Sequence, residues 1–352
     1  MEMTLPVYHI HVSANEYQQL SSNIWSETFV NGTMQMDGKQ LPIRIRYRGG
    51  HTRAYVKKSF EIRTSSRTFH FNAEYDDPSL LRNALSFQFF ESIRVPAPST
   101  RHCVLYLNGQ LAGVYLRIEG VKSSFFRQRR TPVRSIFYAV NDNANFALSS
   151  GSSDSGTDLL SGYSLIRGNT EDRQRLRRFI QQLNGKSKME LFRFLQLRVD
   201  TNNYLRWLSG AVLTGNFDGF HQNYTWYEKA KSRKYGILPW DYEGTWGRNC
   251  YGTKVNPNLV RIQGYNKLTS RLLAFRTFRE QYKKLMQHHL DHAFTEKRVM
   301  PLVYRLHDEI REDVRNDPYM KWPMKVFLNE PEKIRTYVKE RREYVGTALR
   351  QL

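Results

Sequence analysis

The period of the hydrophobic pattern changes once along this chain, and that change limits the fold more than any single motif. Up to about residue 120 apolar and polar residues alternate: "LPVYHIHVS", "LPIRIRYRGG" and "KKSFEIRT" each read as strands, with Gly49–Gly50 as a break. One helix interrupts them. "DDPSLLRNALSFQFFESI" offers Asp77 as N-cap, Pro78 at the first helical position and an apolar stripe from Leu81 through Leu85 to Phe89. "TRHCVLYLNGQLAGVYLRIEGV" then reads as a hairpin turning at Asn108–Gly109. From Glu171 onward the period is helical. Leu176, Phe179, Ile180 and Leu183 share one helix face, and "VDTNNYLRWLSGAVLTG" starts from an Asp200 or Thr201 cap. Two C-terminal segments, "KRVMPLVYRLHDEIREDV" and "EKIRTYVKERREYVGTALRQL", read as amphipathic surface helices.

The order implies an α+β chain in three parts: a β-rich part over 1–122, a connecting region over 123–170, and a helical part over 171–352. The connecting region holds "SSGSSDSGTDLLSGY", which reads as a flexible loop. The helical part carries one embedded hairpin, "YTWYEK" and "YGILPW" about a charged turn.

With 40% apolar and 13% aromatic residues, extensive disorder is excluded. A net charge of +21 makes polyanions natural partners. The cations are scattered, however, and no nucleic-acid-reading motif is present, which argues against a nucleic-acid-binding protein. "RLRRF", "KERREY" and "FFRQRR" read as solvated helix faces. Two cysteines, Cys103 and Cys250, make no disulfide framework and fit a reducing compartment. No leader-like start and no 18-residue apolar run is visible, so the expectation is a soluble protein that stays where it is made, without a membrane.

The chemistry-bearing stretch is "NFDGFHQNYTWY", with Asp218 and Asn223 just after an apolar helix, followed by Asp241 at the end of "GILPW". A hard divalent cation needs oxygen ligands, and one carboxylate with one amide oxygen seats it when phosphates supply the rest. A further carboxylate must accept the proton of an attacking hydroxyl. Asp, Asn and Asp at such spacing suit phosphoryl transfer, although no H-R-D or D-F-G is present. The same residues also suit a structural role, Asp218 capping a turn and Asp241 a loop. In the β-rich part, Arg48, the Gly49–Gly50 turn and Lys57–Lys58 supply cations beside a tight turn. Strand alternation makes Lys58 the better candidate for a cleft, with surface lysines as the alternative.

"RYRGGHTRAYVKKSF", "FNAEYDDPSLLRN", "LNGQLAGVYLRIEGV", "FYAVNDNANF", "NFDGFHQNY" and "PWDYEGTWG" together resemble the CotH family of spore coat proteins, and "VRIQGYNKLTSRLL" fits as well. The resemblance runs from about Pro6 to the C-terminal helices. It implies a distant protein-kinase-like two-lobed fold and an atypical kinase that uses ATP and Mg²⁺ or Mn²⁺ to phosphorylate Ser-rich coat proteins. It further implies Asp218 as the catalytic Asp, Asn223 and Asp241 as metal ligands, Lys58 as the lysine of the β lobe and Arg48 as a phosphate contact. Tyr138 and Trp240 are candidates to sandwich adenine, and Glu119 to orient the lysine or touch the nucleotide. The implied location is the mother-cell cytoplasm and then the spore coat. Where relatives show a second Asp two residues after the first, this chain has Glu243. A non-catalytic coat scaffold is the alternative. A basic enzyme also needs a way to hold basic substrates, either an acidic groove walled by "EYDD" (74–77) or "HDEIRED" (307–313), or scaffolding.

Overall fold

Alternation in the first 120 residues produces more strands than three runs and a hairpin. The computed structural model, which describes residues 5–36, 38–148 and 158–352, closes seven of them into a barrel. These are β1 (Val7–His11), β2 (Val30–Met36), β3 (Lys39–Arg48), β4 (Ser59–Arg63), β5 (Thr68–Asn72), β6 (Thr100–Leu107) and β7 (Gln110–Glu119), in the order β1-β2-β3-β4-β5-β7-β6. A parallel β1–β6 pairing, Val7 opposite Val104 through Ile10 opposite Leu107, shuts the barrel and removes both sheet edges. Six of the seven pairings are antiparallel, and closure into a barrel is the feature that the runs of alternation do not indicate. Helix α1 (Ala14–Ser22) lies between β1 and β2. It and the strands β2 and β5 carry no clear period: β2 holds a Gly and an Asn, and β5 is only five residues long.

Alternation dictates the barrel filling. Ile43, Ile45 and Tyr47 of β3, Phe60 and Ile62 of β4 and Phe71 of β5 join the core, while Arg44, Arg46, Arg48 and Glu61 take the opposite side. The β6–β7 turn is the expected one: Asn108 and Gly109 both have positive φ, 49° and 81°, as a type I′ turn requires.

Helix α2 begins later than its cap signal suggested, at Arg82, and runs to Ser92. Asp77 accepts from the backbone N–H groups of Ser79 (2.9 Å) and Arg82 (2.9 Å) and pairs with the Arg82 guanidinium, so it organises a turn ahead of the helix. Arg82 is 1% exposed, and its other arm meets Glu330 at 2.7 Å. Lys57 is equally enclosed. Its ammonium donates to the Val114 carbonyl (2.6 Å) and to Asp317 (2.7 Å). Through these charges the segment Pro301–Glu332 packs into the same compact unit as Met1–Leu85 and Pro98–Phe125. The acids of "EYDD" are consumed in the same way. Glu74 takes Asn83, Asp76 takes Lys321 and Asp77 takes Arg82, so the stretch builds no acidic wall.

The second unit comprises Ser86–Ala97, Phe126–Met300 and Lys333–Leu352. After α3 (Ser123–Gln128), its sheet contains β8 (Val133–Ala139), β9 (Tyr163–Arg167), β10 (Tyr224–Lys229) and β11 (Tyr235–Pro239), ordered β11-β10-β8-β9 and antiparallel throughout. The embedded hairpin is therefore half of a four-stranded sheet that recruits two strands from the connecting region. The Ser/Gly loop expected from Ser149 lies outside the described residues up to 157. Helix α4 (Thr170–Gly185) buries Leu176, Phe179, Ile180 and Leu183 as its spacing requires, and Asn169 with Asp172 forms a capping box. The remaining helices are α5 (Lys188–Arg198), α6 (Thr201–Thr214), α7 (Lys267–Leu273), α8 (Arg276–His292), α9 (Glu296–Arg315) and α10 (Met324–Gln351). Among the described residues no helix is long and apolar enough to cross a membrane. Both cysteines are free.

Candidate functional site

Helix α6 aims the loop that carries Asp218, and its C-terminus is tied off completely. The last carbonyls of a helix lack intrahelical partners. Here Ala211 is taken by the N–H groups of Gly215 (3.1 Å) and Asn216 (3.2 Å), in an αL cap with Gly215 at φ 74°. Arg341 of α10 donates to Val212, Tyr337 donates to Leu213 (3.0 Å), and the Trp246 N–H donates to Thr214 (2.8 Å). Arg341 is fully buried and spends its remaining donors on the carbonyls of Pro257 (2.6 Å) and Val260 (2.7 Å). The solvated face expected of "KERREY" fails at this residue: the buried guanidinium faces the carbonyl end of the helix dipole.

From that anchored end the chain makes one tight turn. The Asn216 side chain accepts from the Gly219 N–H (2.9 Å), and a 3₁₀ turn follows over Asp218–Phe220. Asn266 holds the Phe220 carbonyl from its side-chain amide (3.1 Å). The far end is stitched into the sheet: the Asn223 N–H donates to Ala139 (3.1 Å), and the Trp240 N–H donates to the Asn223 carbonyl (3.0 Å). Asn223 and Trp240 thus extend the ladder one residue beyond β10 and β11. Asn223 and Asp241 both have left-handed backbone, φ 58° and 56°. Asn and Asp tolerate that region better than other side chains, and such conformations cluster at functional sites.

The electrostatics match this convergence. Asp218 is half-buried, and its carboxyl is pushed above the ordinary range first by burial and then by the charges of Asp142 and Asp241. A hydrogen bond from Cys250 and the nearby His221 act in the opposite sense. The Cys250 thiol is itself pushed up to about 12 by burial, Asp218 and Glu243. The structure therefore gathers Asp218, Asp241 and Glu243 and adds two members that sequence reasoning missed, Asp142 and Cys250. Asp142 lies in the polar turn after β8, about 75 residues before Asp218, and only the β8–β10 pairing brings it near.

Among the described residues no three His, Cys, Asp or Glu side chains close around a point as a self-sufficient metal site would. The donors fit a more open site instead: hard carboxylate and amide oxygens, with mutual repulsion that a cation relieves. The aromatic candidates stand on the same sheet end. Tyr138 and Trp240 lie nearly parallel, 11° between planes and 6.0 Å between centroids. At that spacing the rings are within range of stacking on one another, so a base entering between them must part them.

The remaining candidates belong to the barrel unit. Arg48 donates to the Asn72 side chain, and Glu119 accepts from the Ser99 N–H (3.2 Å) and hydroxyl (3.1 Å). Lys58 shares a side with Tyr47 and Phe60 at the barrel mouth, where its ammonium donates to the Arg53 carbonyl (2.6 Å).

Compared with known proteins, residues 45–345 match the family model described as CotH kinase protein. The chain is 37% identical over 352 residues to the inner spore coat protein H of Bacillus subtilis (strain 168), covering 98% of this chain and 97% of that protein. It is 29% identical over 323 residues to the inner spore coat protein H-like protein of the same strain, covering 91% and 94%. Among solved structures it is similar to the Helicobacter pylori proinflammatory kinase CtkA (11% identity, TM-score 0.34, 83% of this chain and 93% of that one). It is also similar to a chain of the Shewanella oneidensis HipA, HipB and operator DNA complex (10%, 0.37, 97% and 74%). Both scores are too low to fix the fold.

Proposed function

The chain belongs to the CotH family, as the match over residues 45–345 shows, and from that premise we propose that it is an ATP- and divalent-metal-dependent protein Ser/Thr kinase of the spore coat, with a distant kinase-like fold and Ser-rich coat proteins as substrates. One observation carries the proposal: Asp218 sits on a loop fixed at both ends, half-buried, with Asp142 and Asp241 raising its pKa.

A carboxylate with a raised pKa is a better proton acceptor, and Asp218 takes the proton of the attacking hydroxyl. Its rigid mounting on the capped end of α6 fixes the direction of attack, which is where most of the catalysis of phosphoryl transfer resides. The Asn223 amide oxygen and the Asp241 carboxylate would hold Mg²⁺ or Mn²⁺, with Glu243 as a further, longer acid. The metal, when bound, supplies charge neutralisation on the phosphates. Tyr138 and Trp240 provide the aromatic face for adenine.

The test is incubation with γ-labelled ATP, Mg²⁺ or Mn²⁺ and a mixture of Ser-rich coat proteins. The wild-type chain labels them, and Asp218→Asn loses on the order of 10²–10⁴-fold, the usual worth of a general base. Undiminished transfer by the variant would overturn the assignment.

A further inference from the structure

We propose that the mouth of the barrel is a binding site for a phosphate monoester, free or carried on a serine side chain, held by Lys58 and the hydroxyls of Tyr17 and Tyr47. A cavity of about 290 Å³ opens there, walled by residues of the barrel unit alone: α1, the end of β3, the segment leading into β4, the β6–β7 turn, and Tyr319. That volume lies at the lower edge of the roughly 300–1,000 Å³ typical of ligand pockets. It suits one small group and not a nucleotide.

The lining is a donor surplus without an acid. No Asp or Glu lines the cavity. Lys57, at its base, is already satisfied by Asp317 and the Val114 carbonyl. Lys58 is not paired in this way. Its ammonium donates to the Arg53 carbonyl and lies 5.9 Å from the centroid of the Tyr47 ring, and it has no carboxylate partner among the described residues. Elsewhere in this unit Arg46, Arg53, Arg63, Lys122 and Arg82 all meet carboxylates. Burial lowers the Lys58 pKa, so the site holds a cation at a cost that an anion would offset.

Tyr47 is 5% exposed and Tyr17 40%, and neither hydroxyl has a hydrogen-bond partner among the described residues. Beside the ammonium, the little-exposed Tyr47 phenol and the exposed Tyr17 phenol are two donors with no protein acceptor among those residues, open to a ligand that enters the cavity. Burial and Tyr17 push Tyr47 up to about 12, so its hydroxyl stays a donor. Two N–H groups of Lys58 and two phenols match the oxygens of a phosphate better than the pair on a carboxylate. Phe60, Leu111 and Ala112 offer apolar wall to an ester methylene. The proposal stands apart from the kinase assignment, and it gives Lys58 a role other than the one the family resemblance implies.

Calorimetric titration of the full chain with inorganic phosphate, with N-acetyl-O-phosphoserine amide and with acetate tests it. Both phosphate probes should bind saturably and acetate should not. Lys58→Met should weaken them at least tenfold, Tyr47→Phe several-fold, and Lys58→Arg should retain most of the affinity. Lys284→Met, on a different unit, should bind as the wild type does. A tighter phosphoserine probe identifies a side-chain ligand, and a tighter inorganic phosphate identifies a free one. Equal affinity in the wild type, Lys58→Met and Tyr47→Phe would show only the diffuse attraction of a +21 chain and overturn the proposal. Binding of acetate as tight as that of phosphate would overturn it too. So would a Lys58→Met variant that loses Mg-ATP affinity but keeps phosphate affinity. Circular dichroism checks each fold, and Tyr47→Phe decides the matter should Lys58→Met not fold.

Discussion

Inside the barrel unit, Lys57 meets Asp317, Arg82 meets Asp77 and Glu330, and Glu61 meets Arg46, Arg63 and Lys122. At the end of the β10–β11 ladder, Asp218 has no ion-pair partner among the described residues, and two further acids raise its pKa. The two regions are built from the same kinds of residue and differ in compensation. Buried charges that find a partner hold distant segments together, whereas an acid left facing other acids stores an unfavourable field that only a ligand relieves.

The largest test of that contrast is the separation of activity from stability. Asp218→Asn should remove transfer by on the order of 10²–10⁴-fold while leaving the urea midpoint unchanged or higher, since it deletes a repulsion. A lowered midpoint would move Asp218 to the structural side. Asp317→Ala should do the reverse, costing about 3–5 kcal/mol in urea unfolding because it strands a buried ammonium. Adding Lys57→Met should recover much of that loss, and failure to do so would show that packing and not charge is at stake.

Arg341 sits on the boundary between the two behaviours. Arg341→Met orphans carbonyls at the end of α6 and should cost about 1–3 kcal/mol, with kcat falling more than KM rises as the Asp218 loop loosens. An unchanged kcat would confine Arg341 to stability. Trp240→Ala, and separately Tyr138→Ala, should weaken ATP binding by about 1–3 kcal/mol in calorimetry, with little change in unfolding. The smallest effect is pH-dependent. Burial alone would raise the Glu61 carboxyl, but His70, Lys122 and Arg46 hold it well below the usual carboxylate value. A group depressed in the folded state contributes stability above its unfolded pKa and loses it as pH falls towards the folded one. Urea midpoints should therefore decline below about pH 5 more steeply for the wild type than for Glu61→Gln, and parallel curves would refute it.

What was legible in the sequence follows from range. The α4 face, the Asn108–Gly109 turn and the Asp200 cap rest on neighbours within a few residues, and local spacing encodes them directly. The start of α2 at Arg82 is not legible locally, because Asp77, Pro78 and the stripe also suit a capped helix. The partner that decides for a turn, Arg82 braced by Glu330, is 248 residues away from that glutamate. The solvated reading of "KERREY" failed for the same cause, since Arg341 takes its partners from α6 and the 257–260 loop. Strand parity favours Lys58 over Lys57 for a cleft. Parity places Lys58 with Phe60, and in the closed barrel that side leads to the mouth cavity.

By itself, the sequence determined the α+β class, the family and the loop on which Asp218 and Asn223 stand, because each is written in local period or in consecutive motif residues. Tertiary structure alone decided that the early strands close into a barrel, that β8 brings Asp142 towards Asp218, and that Lys57 is sealed by Asp317 while Lys58 is not. Each of these depends on side chains or strands tens to hundreds of residues apart. Their pairing is selected by the free energy of the whole packed unit, and no window along the chain contains both partners.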